Sequence, residues 1–141
     1  MKATNYATLL IKSFEQLRLN SYLCPAGRWT IGYGHTDGVN QGMLITEKTA
    51  DAFLQQDIRH AEDEVNKLEA DLTQEQFDAL VSFVFNVGTQ AFRYSTLRKL
   101  IERNPNDPKI ANEFHRWVYA GNTMLPGLVK RREQEIKLYY S

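Results

Sequence analysis

The 141 residues include a single cysteine, Cys24, so no internal disulfide can staple the chain. That usage suits folding in a reducing compartment and excludes the disulfide-framed scaffolds of small secreted domains. Prolines number only 4, and no Pro-rich, Gly-rich or repetitive stretch occurs, so neither a linker between domains nor a repeat array is expected. Neither charge sign is in excess, since 17 basic residues balance 17 acidic ones. The broad positive field of a nucleic-acid-binding protein is therefore absent, although a local patch is compatible with the totals. No apolar run is long enough to span a membrane. The opening MKATNYATLLIKSFEQ breaks its short apolar run at Lys12 and has no small-residue cleavage site, so no signal peptide and no stable membrane association are expected.

What is present reads as one domain, large enough to bury a core unaided. Residues 4–14 carry Tyr6, Leu9, Leu10 and Phe14 three or four apart, continued by Leu17, which predicts a helix with those side chains inward and Thr4 or Asn5 as its cap. Glu15 then falls at the helix end, where the macrodipole disfavours a carboxylate. Residues 21–35 alternate aromatic or β-branched with small or polar side chains around Pro25 and Gly27. They predict a hairpin or three-strand sheet reaching about residue 44. Gly32 and Gly34, two apart, suggest close approach of another group to the backbone.

Thr46 then caps a long amphipathic helix, with Glu64 among its outward charges. Thr73 with Gln76 forms a capping box, and the FDALVSFVFNVG that follows is apolar nearly all round, as the central helix of a helical lobe would be. Gly88 closes it. Further helices are predicted over residues 95–103, 108–119 and 126–140, the last with Leu128, Val129, Ile136 and Tyr139 inward. Its KRREQE reads mainly as a solvated face. The fold class is α+β, mainly α: a small N-terminal β lobe (residues 15–45), a connecting helix (46–68) and a helical lobe (69–141) on which helix 4–14 packs.

Three residues near the front have chemistry in common. Taken singly, Glu15 is an ordinary surface acid, Cys24 a small apolar side chain and Thr30 a strand residue. Taken together, eight residues separate Glu15 from Cys24 and five separate Cys24 from Thr30, and TIGYGHT begins at Thr30. This resembles the phage-type lysozymes, the endolysins and prophage muramidases, with their Glu, eight residues, Asp or Cys, five residues, Thr, and their T-x-G-x-G-H segment. FNVG, the segment after Ser95, Trp117 and GLVKRREQE resemble that family's second lobe, so the likeness covers nearly the whole chain.

The resemblance implies a glycoside hydrolase that cleaves the β-1,4 bond between N-acetylmuramic acid and N-acetylglucosamine in peptidoglycan, without a cofactor or metal. Glu15 would be the general acid, since glycosidic cleavage needs a proton on the leaving oxygen. Cys24, where the commoner family form has Asp, and Thr30 would position water. A thiol near its usual ~8.5 is mostly uncharged at neutral pH unless Arg28 or His35 lowers it. His35 reads first as a hydrogen-bonded tie between the sheet and the long helix. Tyr33, His35, Phe85, Asn86 and Ser95 are the implied substrate-binding residues, and Arg93, Arg98, Lys99 and Lys130 to Arg132 are candidate attractors of the anionic wall. A lytic transglycosylase and a non-catalytic wall-binding module are the alternatives. By the same resemblance the chain is expected to be a monomer, held in the bacterial host cytoplasm until a holin lesion releases it to the wall.

Overall fold

The computed structural model describes all residues, Met1–Ser141. Seven helices and two short hairpins run in the order α1 (Asn5–Phe14), β1 (Arg18–Leu23), β2 (Trp29–Gly32), α2 (Glu47–Val65), α3 (Gln74–Val87), α4 (Thr89–Arg93), α5 (Thr96–Arg103), α6 (Ile110–His115), β3 (Tyr119–Ala120), β4 (Thr123–Met124) and α7 (Pro126–Tyr139). The mainly helical α+β class is the one expected from the sequence.

The start signals act where the sequence puts them. Thr46 accepts from the Thr49 amide at the head of α2, and Thr73 and Gln76 complete the capping box of α3. Gly88 ends α3 with a φ of 96°, which glycine adopts without strain. At α1 the cap is used differently. Thr4 occupies the N-cap position, but its hydroxyl and its amide both bond Asp78 on α3. The tie anchors α1, and hence Glu15 at its far end, to the central helix.

α3 is the centre of the molecule, with every residue from Gln76 to Val84 buried. Phe83 meets Phe92, Phe114 and Trp117 edge-on at centroid separations of 6.2, 5.2 and 5.7 Å, which joins α4, α6 and the segment after α6 to the core. α1, α2 and α7 pack on other sides of α3. β1 and β2 form an antiparallel hairpin with Tyr22 opposite Thr30 and Leu23 opposite Trp29. Of the two expected alternatives, hairpin or three-strand sheet, the hairpin is found, with only a single bridge between Asn20 and Leu44 beside it.

Five expectations need correction. Tyr6 and Leu9 are exposed, and α1 buries Ala7 and Ile11 instead, because small Ala7 lets the helix sit close to α3. Glu64 is not a surface charge: it is 3 % exposed, with Arg93 Nη2 at 2.7 Å from Oε1. α4 is an unpredicted turn of helix after Gly88. α6 stops at His115, and the chain then forms β3 and β4 where the sequence suggests four more helical residues and a loop. On α7, Arg131, Arg132 and Glu135 are the buried residues besides Tyr139, whereas Leu128, Val129 and Ile136 are not the ones sealed inside. Alternating full charges can go inside when they neutralise one another.

Arg93 holds the Glu64 carboxyl below the usual carboxylate range, chiefly through its hydrogen bond. A depressed folded value adds stability above the unfolded value, and that increment is lost as pH falls through the folded value. Glu64→Gln is expected to cost about 1–3 kcal/mol at pH 7 and less at pH 3, measured by urea unfolding at both pH values. An equal cost at both would contradict the pair's role.

Candidate active site

Glu15 is the C-cap of α1, its backbone amide still bonded to Ile11 but its own φ and ψ (−100°, 120°) already extended. The side chain leaves the helix at this bend and remains 24 % exposed. Arg131 of α7, itself 3 % exposed, donates from Nη1 to Glu15 Oε1 at 3.0 Å, and its guanidinium lies over the Phe14 ring. On the other side is Gly34 with φ of 78°, where an added Cβ would fall 3.1 Å from Glu15 Oε2. Backbone at Gly34 and guanidinium at Arg131 thus hold one carboxylate between them. Gly32, its neighbour in the signature, is a glycine for a different contact: it packs against Ala50 of α2.

Register explains the other spacing. Tyr22 faces Thr30 across the hairpin, and Cys24 lies two residues beyond Tyr22 along the same chain direction, so all three side chains project to one face. The turn that closes the hairpin is held by the Cys24 amide donating to Arg28 O at 2.9 Å and the Gly27 amide donating to Cys24 O at 2.8 Å. The Cys24 thiol is held below the usual thiol value, first by the backbone amide of Arg28, then by the Thr30 hydroxyl and the Ala26 amide, with the charge of Arg28 a smaller contribution. Of the two cationic neighbours considered, Arg28 contributes and His35 does not. The Thr30 hydroxyl donates to Arg28 O at 3.1 Å; its one proton has the thiolate as the alternative acceptor.

Tyr22 lies outside the three-residue signature and sits directly across the hairpin from Thr30. Its hydroxyl is pushed up from the usual value by burial and then by the negative fields of Glu15 and Cys24. Arg18 stacks on its ring at 4.4 Å. The only signal for Tyr22 in the sequence is its two-residue offset from Cys24.

The remaining candidates separate. His35 is 3 % exposed, its Nδ1–H donates to Asp57 Oδ2 at 2.8 Å, and its ring stacks on Phe53 at 4.2 Å. It ties the signature turn to α2, as expected, and has no surface left for a sugar. Tyr33 is also buried, with Lys12 Nζ 5.1 Å from its ring. Ser95 is the N-cap of α5, accepting from the Arg98 amide and donating to Phe92 O. Phe85 lines a cavity of about 200 Å³ with Gly34, Asp57 and Gly88, and Asn86 lines one of about 410 Å³ with Trp117 and Tyr119. Ser95 also lines a cavity, one of about 310 Å³ with Tyr94 and Trp117. So Phe85, Asn86 and Ser95 each face a cavity, while Tyr33 and His35 are buried in the scaffold. Among the basic candidates, Arg131 and Arg132 are buried and Arg93 is paired with Glu64.

Residues 12–135 match the family described as Phage lysozyme. The chain belongs to that family. It is 45 % identical to an endolysin of Acyrthosiphon pisum secondary endosymbiont phage 1 across 100 % of this chain and 99 % of that protein. It is 46 % identical to the endolysin of Bacillus phage B103 over 92 % of this chain but 51 % of that protein, so it spans about half of that relative. In structure it is similar to the muramidase domain of SpmX from Asticaccaulis excentricus, with TM-score 0.89, 38 % identity and coverage of 99 % and 98 % of the two chains. Family membership makes the chain an endolysin-type lysozyme, a glycoside hydrolase acting on the cell wall.

The glycine against the acid offers a direct check. Gly34→Ala is expected to lower wall-clearing activity at least ~10-fold through displacement of Glu15, while thermal unfolding shifts by only the ~1–2 kcal/mol of a left-handed alanine. Unchanged activity in a folded variant would show that Glu15 does not depend on this close approach.

Proposed function

We propose that Glu15 protonates the leaving oxygen of the β-1,4 bond between N-acetylmuramic acid and N-acetylglucosamine, and that Cys24 and Thr30 place the attacking water on the opposite face of the sugar. One observation carries this: Gly34, in the same signature segment as Thr30, lies directly against Glu15, its Cβ position 3.1 Å from Oε2, so the hairpin bearing Cys24 and Thr30 meets the helix end bearing the carboxylate. A helix end and a hairpin face thus supply the two sides that a displacement at an anomeric carbon needs. The cleft would run between the segment of residues 15–45 and the helices of residues 69–141, with α2 joining them and Phe85 on the far wall.

Cys24 departs from the usual carboxylate, and its thiol is held below its ordinary value first by the Arg28 amide and then by the Thr30 hydroxyl, which favours its role as an acceptor for the water. Water attack from the opposite face inverts the anomeric centre, and no covalent sugar adduct on sulfur is required.

Glu15→Gln is expected to lose roughly 100-fold or more in clearing of permeabilised Gram-negative cells. Cys24→Ala is expected to lose activity and Cys24→Asp to keep it. The released fragments should carry one added water; fragments lighter by one water would indicate a transglycosylase, and a fully active Glu15→Gln would indicate a binding module.

For its setting we propose a monomer that waits in the host cytoplasm and reaches peptidoglycan through a holin lesion. No helix is long and apolar enough to cross a membrane. Expression without a holin should leave cells intact, and lysis in that condition would contradict this route.

A further inference from the structure

The acid is one end of a longer row of charges. Arg131 bonds Glu15 through Nη1, the Ser82 carbonyl through Nη2 at 3.2 Å and Glu135 Oε2 through Nε at 3.3 Å. Glu135 is 0 % exposed and also accepts from the Ser82 hydroxyl at 2.7 Å. Its other oxygen lies 2.9 Å from Arg132 Nε, an ion pair set off the line of a hydrogen bond. Arg132, 0 % exposed and with its guanidinium 4.9 Å from the Phe83 ring centroid, donates from Nη2 to Asn86 at 2.6 Å. Burial pushes Arg132 down to about 10, so it is still a cation at neutral pH.

The row therefore runs Glu15, Arg131, Glu135, Arg132, Asn86, its charges alternating as far as Arg132, from the Glu15 carboxylate to the cavity that Asn86 lines with Trp117 and Tyr119. Glu135 is the only member that touches both arginines. Without it, two buried guanidiniums on adjacent residues would repel, and only Glu15 would offset them. Arg132 also decides how Asn86 points. A guanidinium has donors only, so its partner must be the amide oxygen, and the amide NH2 is left to face the cavity as a donor.

We propose, resting on the reading of Glu15 as the acid, that Glu135 is a positioning residue for both ends of this row: through Arg131 it sets the geometry of Glu15, and through Arg132 it turns the Asn86 amide to present its NH2 to an acceptor oxygen of the glycan substrate. The two arms separate in kinetics. Glu15 acts in the chemical step, and Asn86 acts in holding the substrate.

The test uses soluble peptidoglycan oligosaccharides and the folded fraction of each variant from near-ultraviolet circular dichroism. Glu135→Gln is expected to lower kcat and raise KM, each about tenfold, the worth of one polar contact. Asn86→Ala should raise KM alone. In the double variant KM should rise no further than in Asn86→Ala, while the kcat loss remains. A merely destabilised enzyme would lose kcat with KM unchanged, and additive KM effects would equally overturn the proposal. If Glu135→Gln does not fold, Ser82→Ala loosens the same carboxylate and should show the same coupled pattern at smaller size; absence of coupling there overturns it. Asn86→Asp keeps an oxygen for Arg132 and replaces the NH2, so KM should rise as in Asn86→Ala, and an unchanged KM would refute the orientation. The reading of Glu15 fails separately, if Glu15→Gln stays active whatever happens at the other positions.

Discussion

Two guanidiniums and two carboxylates share the space where α7 meets α3 and the end of α1, and they must stay neutral as a set. Arg131 and Arg132 are adjacent on one helix, and each is buried. Burial of two like charges so close is tolerable only with opposite charge between or beside them, and Glu135 and Glu15 meet that need from two directions. The packing of α7 on the central helix is thereby tied to the position of the acid. Fold and site are set by the same four ions.

A second constraint reaches Glu15 from the start of the chain. α1 is fixed at its head by Thr4 on Asp78 and along its length by Ala7 and Ile11 in the core, so its last residue is delivered to a defined place. On the far side, the signature turn is locked by His35 on Asp57 and Phe53 of α2. The acid is approached by rigid elements from both sides: a buried arginine on one and a side-chain-free backbone position on the other. This is the kind of support a group needs if it is to meet a reacting atom without rearrangement.

Much of this architecture is legible in the amino-acid sequence. Caps at Thr46 and Thr73 and the breaker at Gly88 follow from local backbone hydrogen bonding, and local chemistry is what a sequence displays directly. The spacing of Glu15, Cys24 and Thr30 is equally plain. What fails is the rule that charge faces water. Patterning assigns Glu64, Arg131, Arg132 and Glu135 to solvent because the partners that neutralise them lie on other helices or one turn away, and amphipathicity contains no term for pairing. Tyr33 and Ser95 resemble substrate contacts by position alone. Tyr33 is buried by neighbours distant in sequence, which position alone does not reveal, whereas Ser95 caps α5 and still faces a cavity.

The hairpin that carries Cys24 and Thr30 has a further consequence. Five residues between them is a statement about a turn, since the pairing of Leu23 with Trp29 and of Tyr22 with Thr30 leaves only that length for the chain to come back. Position 24 is thus defined by its neighbours, and the atom placed there can be sulfur or carboxylate oxygen without disturbing what defines it. Loop length is the rigid quantity and side-chain identity the adjustable one. One residue more or fewer would turn the thiol or the hydroxyl to the opposite side of the ribbon. In this molecule the tolerance for chemical change at position 24 comes from intolerance for change in the count of residues around it.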